Sequence, residues 1–184
     1  VNLLDKLLPI VQQYGYEVEV DDQRQPTPNF EFEEVVEDSY SHFTWPKGHP
    51  FAGEPIMIKE HQLDVLNSYL ENITGINIAP TGSGKTLITA ILSHKVQPYG
   101  RSIVIVPTKD LVTQTEEDYI NLGLDVGVFF GDRKEYNKTH TICTWQSLES
   151  LSKRSKETDL EIDINAFFEG VVCVIVDEVH KAKA

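Results

Sequence analysis

Apolar residues along most of this chain follow two patterns, short continuous runs and longer runs at helical spacing. From residue 56 onward the two patterns alternate. They predict helices over residues 59–71, 85–96, 109–122 and 145–151, and strands over residues 75–79, 102–106, 125–130, 139–143 and 171–176. Strands that alternate with helices are typical of a mostly parallel sheet covered by helices on both faces. The pattern therefore predicts an α/β fold.

The first 55 residues are patterned differently. Leucines and a valine at i, i+3 and i+4 spacing between residues 3 and 11 predict a short amphipathic helix, and the alternation over residues 16–20 predicts a half-buried strand. Residues 45–55 contain three prolines and two glycines, which is typical of a linker. We expect a partial α+β accessory domain and linker over residues 1–55, and the α/β domain over residues 56–184.

The transition from the predicted strand 75–79 to the predicted helix 85–96 is rich in glycine. It places loop N–H groups at a helix N-terminus, which is a site for phosphate. Lys85 adds a positive charge for the β- and γ-phosphates, and the Thr86 hydroxyl can bind Mg²⁺. Ala79 stands where the G-x-x-x-x-G-K-[ST] pattern has its first glycine, and the alternative is a chance glycine–serine loop. The candidate phosphate-binding residues are Pro80, Thr81, Gly82, Ser83, Gly84, Lys85 and Thr86.

An acidic stretch follows the apolar run 171–176 and is the second candidate part of the nucleotide site. Asp177 at the end of a buried strand can hold Mg²⁺ through water, and Glu178 can polarise the water that attacks the γ-phosphate. His180 either couples this site to later parts of the chain or caps the strand. The alternative for all three is a charged strand terminus in solvent. We predict catalytic roles for Lys85, Asp177, Glu178 and His180, and metal binding by Thr86 and Asp177.

Composition narrows the classes of function. No apolar run approaches the roughly 18 residues of a membrane helix, and no signal-peptide pattern is present. The two cysteines lie in apolar runs without a CxxC partner, which favours buried reduced thiols in the cytoplasm. The formal net charge is −13, and residues 1–60 hold twelve acidic and four basic side chains against seventeen and twelve in the remainder. This balance argues against tight binding of nucleic acid by this stretch alone.

Five stretches, in the order expected, resemble the motifs of superfamily 2 helicases. They are 79–86 (APTGSGKT), 177–180 (DEVH), 105–114 (IVPTKDLVTQ), 131–132 with 144–147 (GD and TWQS), and 58–62 (IKEHQ). In this family alanine at position 79 is normal. The resemblance implies a RecA-like P-loop NTPase domain that uses ATP and Mg²⁺, with Lys59 and Gln62 at the adenine. It implies nucleic-acid contacts by Pro107, Thr108, Gly131, Asp132, Thr144, Trp145 and Gln146.

Residues 7–16 also resemble the segment ahead of the motor in phage recombination and repair helicases. This resemblance implies a monomeric motor on branched or duplex DNA and RNA–DNA hybrids, in the cytoplasm of a bacterium or phage-infected cell. Three alternatives stay open: a double-stranded DNA translocase of the restriction-enzyme type, a protein-translocating ATPase, and a non-catalytic nucleotide-binding fragment.

Several local assignments also stay open. Thr108 can contact a phosphate or cap the helix that follows, or do both. Trp145 can stack on a base or pack in the core. Arg133, Lys134 and Lys138 can form a solvated face or contact phosphate.

The chain begins at Val1 rather than Met and stops four residues after His180. We expect it to be a fragment that lacks the second RecA-like domain, which supplies the arginine finger in this family. An arginine finger accelerates hydrolysis by about 10³–10⁵-fold. We therefore expect the isolated chain to bind nucleotide weakly and to hydrolyse it poorly.

Overall fold

A computed structural model describes residues 4–16, 30–72, 74–154 and 163–179. The chain divides into two compact units, residues 1–30 and residues 31–184. The first unit contains helix α1 (Leu4–Gln13), which confirms the predicted N-terminal helix. The predicted strand over 16–20 lies outside the described residues except for Tyr16, which is in no strand.

The second unit is a five-stranded sheet with helices. Its elements are α2 (Glu60–Glu71), α3 (Lys85–Val96), β1 (Arg101–Val106), α4 (Lys109–Asn121), β2 (Val126–Phe130), β3 (Arg133–Lys134), β4 (His140–Thr144), α5 (Trp145–Arg154), α6 (Ile164–Phe168) and β5 (Val171–Val176). The strand order is β3-β2-β4-β1-β5. All neighbours are parallel except the short β3, which pairs antiparallel with β2. The predicted α/β class and mostly parallel sheet are confirmed.

The core lies on both faces of the sheet. Successive side chains of a strand point to opposite faces. In β1, Val104 and Val106 therefore pack in one apolar cluster with α2, α3 and α4, whereas Ile103 and Ile105 pack in another with α5 and α6. Burial on both faces explains why this strand is a continuous apolar run in the sequence.

The predicted strand over residues 75–79 is wrong for this structure, because these residues belong to no strand of the sheet. Ile76 is 85% exposed and Ile78 is 95% exposed. A strand forms only when a neighbour takes up its backbone N–H and C=O groups, and no strand among the described residues lies beside this stretch. At the edge of the sheet, Val174 of β5 is also half exposed.

Residues 31–58 pack on the sheet unit rather than forming an exposed linker. Val35, Tyr40, Ile56 and Ile58 are almost fully buried in its core. The proline-rich stretch forms a closed loop, with a bridge between Thr44 and Pro55 at its base. The structure thus divides the chain after Phe30, whereas the sequence pattern predicts a boundary near residue 55.

Buried polar groups tie α3 and α4 to the sheet. His140 of β4 has its Nδ1 atom 2.8 Å from Ser102 Oγ and its Nε2 atom 3.2 Å from Gln97 Oε1, both within hydrogen-bonding distance. Ser93 of α3 bonds both Ser102 Oγ at 3.1 Å and the Tyr119 hydroxyl at 2.8 Å. Because buried polar groups cost free energy unless they are hydrogen-bonded, this network holds α3 at one position against the sheet.

Among the described residues, no helix is both long enough and apolar enough to span a membrane.

Candidate nucleotide and nucleic-acid sites

The glycine-rich loop enters α3 through two residues in the left-handed backbone region. Gly82 has φ of 81° and Gly84 has φ of 83°. Gly84 is the N-cap residue of α3, so the loop ends directly at the helix N-terminus. The first N–H groups of a helix have no partner within it and carry partial positive charge, which makes this end attractive to an anion. Glycine is needed here because a side chain disfavours positive φ.

The side chains of this loop match a phosphate site. Lys85 is half buried, and its Nζ donates to the carbonyl of Ala79 at 3.4 Å, so the ammonium lies over the loop. Thr86 and Ser83 are also half buried. The Ser83 hydroxyl oxygen is buried without a hydrogen-bond partner in the part of the chain that the structure describes. Pro80, Thr81 and Gly82 form the exposed outer turn.

Gln62 contacts this loop directly. Its Nε2 donates to the Ser83 carbonyl at 3.0 Å, and its Oε1 accepts from the Lys59 backbone N–H at 3.0 Å. Gln62 is 5% exposed, so it is not the surface residue that its sequence neighbours alone would suggest. Lys59 is the N-cap residue of α2 and is exposed.

The acidic pair lies at the carboxyl end of β5, as predicted. The Asp177 N–H donates to the Ile105 carbonyl at 2.9 Å, which extends the β1–β5 pairing by one residue. Glu178 has φ of 50° and is the non-glycine residue with positive φ in the described chain. Such a conformation is uncommon and costs free energy, and strained residues of this kind cluster at functional sites. Helix α3 packs against both β1 and β5. His180 lies outside the described residues.

A groove of about 1040 Å³ opens at the carboxyl ends of β1, β2 and β4. In open α/β sheets, ligands bind at this edge. Six of the seven residues that the resemblance assigned to nucleic acid line the groove: Pro107, Thr108, Gly131, Asp132, Thr144 and Gln146. They come from three separate segments, and the fold alone brings them together.

The threonines of the groove have structural partners as well. Thr108 caps α4, and its Oγ1 accepts from the Leu111 N–H at 3.4 Å. Thr144 Oγ1 contacts Ser147 Oγ at 3.0 Å. The cap assigned to Thr108 as an alternative is therefore present, and the residue also lines the groove.

Trp145 is not among the groove-lining residues. Its ring packs against the apolar cluster that contains Ile103, Ile105 and Phe167, as the core-packing alternative predicts. The structure thus gives no support to stacking of Trp145 on a base.

The three basic residues expected to cluster around residue 133 have different surroundings in the structure. Arg133 makes a two-point ion pair with Glu116 and a further contact with Glu135, and Lys138 pairs with Asp125 at 2.9 Å. Lys134 instead lines the groove, with its Nζ 4.5 Å from the centre of the Phe129 ring.

Four polar residues of the groove have no contact with nucleic acid assigned to them from the sequence. Lys109 begins α4, while Ser147, Ser150 and Arg154 lie on one side of α5. The signal was present, because positions 147, 150 and 154 are spaced by three and four residues and so share one face of a helix. The predicted helix ended at residue 151, which left Arg154 out.

The sequence profile of the family described as "Type III restriction enzyme, res subunit" matches residues 55–184. The chain belongs to this family, and residues 55–184 carry a superfamily 2 helicase motor with a RecA-like α/β fold. Members of this class use ATP with Mg²⁺.

The chain is similar in sequence to two curated proteins. It is 30% identical over 133 residues to the DNA 3'-5' translocase XPB2 of Sulfurisphaera tokodaii. The aligned residues cover 71% of this chain and 27% of the relative. It is 27% identical over 143 residues to the putative DNA 3'-5' helicase Rad25 of Halobacterium salinarum, which covers 72% of this chain and 22% of the relative. The chain thus spans about a quarter of the length of these relatives.

Among solved structures, the chain is similar to the UvsW helicase from bacteriophage T4. The TM-score is 0.63 at 20% identity, and the match covers 98% of this chain and 62% of the other. A second structure of T4 UvsW gives a TM-score of 0.56 at 18% identity, with 99% and 41% covered. At these identities the likeness concerns the fold.

Proposed function

We propose that this chain is the nucleotide-binding half of an ATP-driven DNA motor. The observation that carries the proposal is the arrangement of two candidate sites on one sheet. The phosphate loop begins the helix that packs on β1 and β5, and the groove opens at the carboxyl ends of β1, β2 and β4. Strand β1 thus lies next to both candidate sites. A conformational change at one site can therefore be transmitted to the other through this strand.

Each residue has a role that its chemistry supports. Lys85 and the loop N–H groups hold the phosphates of ATP, with Lys59 and Gln62 on the side of the adenine. Thr86 and Asp177 hold Mg²⁺, which when bound neutralises charge on the phosphate oxygens. Glu178 orients and polarises the attacking water, and His180 links this site to the rest of the motor.

The groove binds the DNA backbone. Lys109, Lys134 and Arg154 supply positive charge, and the hydroxyls of Thr108 and Thr144 donate to phosphate oxygens. The finer activity is processing of branched DNA or RNA–DNA hybrids in recombination or repair, which rests on the resemblance of residues 7–16 to the segment ahead of the motor in phage recombination and repair helicases.

A double-stranded DNA translocase is the second candidate. The family description names a restriction-enzyme subunit, and one relative is named a DNA translocase. The helicase and the translocase use the same kind of motor. They differ in whether movement along DNA separates its two strands. A protein-translocating ATPase is less well supported, because seven of the thirteen residues that line the groove carry a hydroxyl or a positive charge.

The test is the ATPase activity of the full-length protein titrated with single-stranded, duplex and forked DNA. Parallel reactions contain the variants Lys85→Ala and Glu178→Gln. We expect the greatest stimulation with forked DNA and its loss in both variants. Equal stimulation by unbranched duplex, without strand separation, would favour the translocase. Activity that no DNA changes would overturn the proposal and direct the next experiment to polypeptide substrates.

A further inference from the structure

The backbone carbonyl of Ser83 accepts two side-chain hydrogen bonds from the start of α2. His61 Nε2 lies 3.1 Å from this oxygen and Gln62 Nε2 lies 3.0 Å from it. A carbonyl oxygen can only accept, so the His61 ring must carry its proton on Nε2. Two donors also match the two lone pairs of the oxygen. The carbonyl is therefore held from two directions by neighbouring residues of one helix.

This contact sets the direction of a backbone N–H on the other side of the same peptide. The described residues contain no cis peptide bond, and in a trans peptide the C=O and the following N–H point in opposite directions. With the Ser83 carbonyl directed at α2, the Gly84 N–H is directed away from α2. Gly84 is the N-cap residue of α3, so its N–H lies where the free donors of the helix start collect.

The two tethers differ in strength and surroundings. Gln62 is buried, and its amide is fixed at both ends, by Ser83 and by the Lys59 N–H. His61 is exposed, and its described hydrogen bond is the one to Ser83. Gln62 can reach this loop only because Gly84 has no side chain, since a Cβ there would lie on its Nε2. His61 approaches the same oxygen as a second tether.

We propose that His61 is a positioning residue of the phosphate loop. It holds the Ser83–Gly84 peptide in the orientation that presents the Gly84 N–H to a bound phosphate, and it does so without touching the nucleotide. The resemblance assigned the flanking positions Lys59 and Gln62 to the adenine and assigned nothing to His61. The proposal deepens the proposed function and rests on it, because it requires that the loop binds phosphate.

The test compares a ligand that has only phosphates with one that also has a base. Inorganic tripolyphosphate and ATP, each with Mg²⁺, are titrated into the 184-residue chain labelled with ¹⁵N-glycine. The variants are His61→Phe, which keeps a ring and removes the donor, and His61→Gln, which restores a donor. Asp64→Ala is the matched control, since Asp64 lies on the same helix and lines a different groove with Glu34 and Glu37.

We expect His61→Phe to weaken tripolyphosphate and ATP by the same factor, about threefold to tenfold, which is the usual effect of one hydrogen bond. His61→Gln should recover most of this loss, and Asp64→Ala should leave both affinities unchanged. In the free protein, the Gly84 amide resonance should move in His61→Phe and not in Asp64→Ala. Equal thermal stability of the variants is checked by their melting temperatures.

Three outcomes would overturn the inference. A loss for ATP alone would mean that His61 contacts the base. Unchanged affinities with an unmoved Gly84 resonance would mean that Gln62 suffices to hold the carbonyl. Failure of the unaltered chain to bind either ligand would instead remove the proposed function, and the inference with it.

Discussion

Gly84 shows how a single residue joins two parts of the nucleotide site. Its φ of 83° disfavours any side chain, and an added Cβ would lie 2.2 Å from Gln62 Nε2. The glycine therefore serves both the left-handed turn and the close approach of α2 to the loop. The loop requires glycine here for packing as well as for backbone conformation.

We predict that Gly84→Ala lowers the free energy of unfolding by about 2–3 kcal/mol. Roughly 1 kcal/mol comes from positive φ, and the rest from the hydrogen bonds of Gln62 that must break. Gly53→Ala is the control, because Gly53 has φ of 85° and open space around it. It should cost about 1 kcal/mol, for the backbone alone. Urea denaturation of the two variants measures the difference, and equal losses would contradict the clash.

Burial also decides the chemistry of the two cysteines. Burial raises the pKa of Cys143 to about 12 and that of Cys173 to about 11. The thiolate, which is the reactive form, is therefore scarce at neutral pH. Both are free, in keeping with the reduced thiols expected from the sequence.

We predict that iodoacetamide at pH 8 modifies both cysteines slowly in the native chain and rapidly in guanidinium chloride. Unfolding returns each thiol to its ordinary pKa near 8.5 and exposes it to reagent. Mass spectrometry of timed samples measures the two rates. Fast modification of native Cys143 would show that β4 opens readily.

At the scale of elements, α3 is held to the sheet by the buried polar network around His140. The His140 side chain is fully buried, and burial lowers its pKa to about 4. Its two ring nitrogens contact neutral groups, Ser102 Oγ and Gln97 Oε1. Burial against these neutral groups favours the uncharged ring.

We predict that the chain loses stability as pH falls from about 6.5 to about 4. In this window the unfolded state binds a proton at His140 and the folded state does not, so protons favour unfolding. The loss from this residue is about 3 kcal/mol at most, and it levels off below pH 4. Burial lowers the pKa of His94 as well, so wild type alone does not isolate His140.

The measurement is the urea midpoint from pH 4 to pH 7.5 for wild type and for His140→Asn. The variant should be less stable at pH 7 and should show a shallower dependence on pH. Parallel curves would mean that His140 does not contribute to the acid limb.

At the scale of the whole molecule, the local distribution of charge differs from what the net charge suggests. The net charge of −13 opposes binding of a polyanion, yet Lys109, Lys134 and Arg154 lie together along one groove. Some cations outside the groove are paired with carboxylates, such as Arg133 with Glu116 and Glu135. Local placement of charge, rather than its total, thus supports binding of DNA here.

We predict that Arg154→Glu in the full-length protein raises the DNA concentration for half-maximal ATPase stimulation by about tenfold at low salt, since a phosphate contact becomes a repulsion. The slope of log affinity against log salt should fall by about one. Lys153→Glu is the control, because Lys153 pairs with Glu149 at 2.6 Å and does not line the groove. Equal effects of both changes would point to net charge instead of a contact.

The sequence by itself determined the α/β class, the positions of most helices and strands, and the residues of the loop around Lys85. These features are local. Burial on both faces makes β1 a continuous apolar run, and the turn before α3 requires glycine at particular positions. These requirements concern residues that are adjacent in sequence, so the sequence predicts them without knowledge of the fold.

The tertiary structure decided what depends on distant partners. Residues 75–79 have strand-like composition, but pairing needs a neighbouring strand that no local pattern specifies. The stretch 45–55 resembles a linker because of its prolines, yet residues on either side of it are buried in the core. The groove brings Thr108, Thr144 and Arg154 together only because parallel strands end at one edge, and the bond from His61 to Ser83 spans 22 residues of sequence. Contacts of this kind arise when elements pack, so the packed fold alone reveals them.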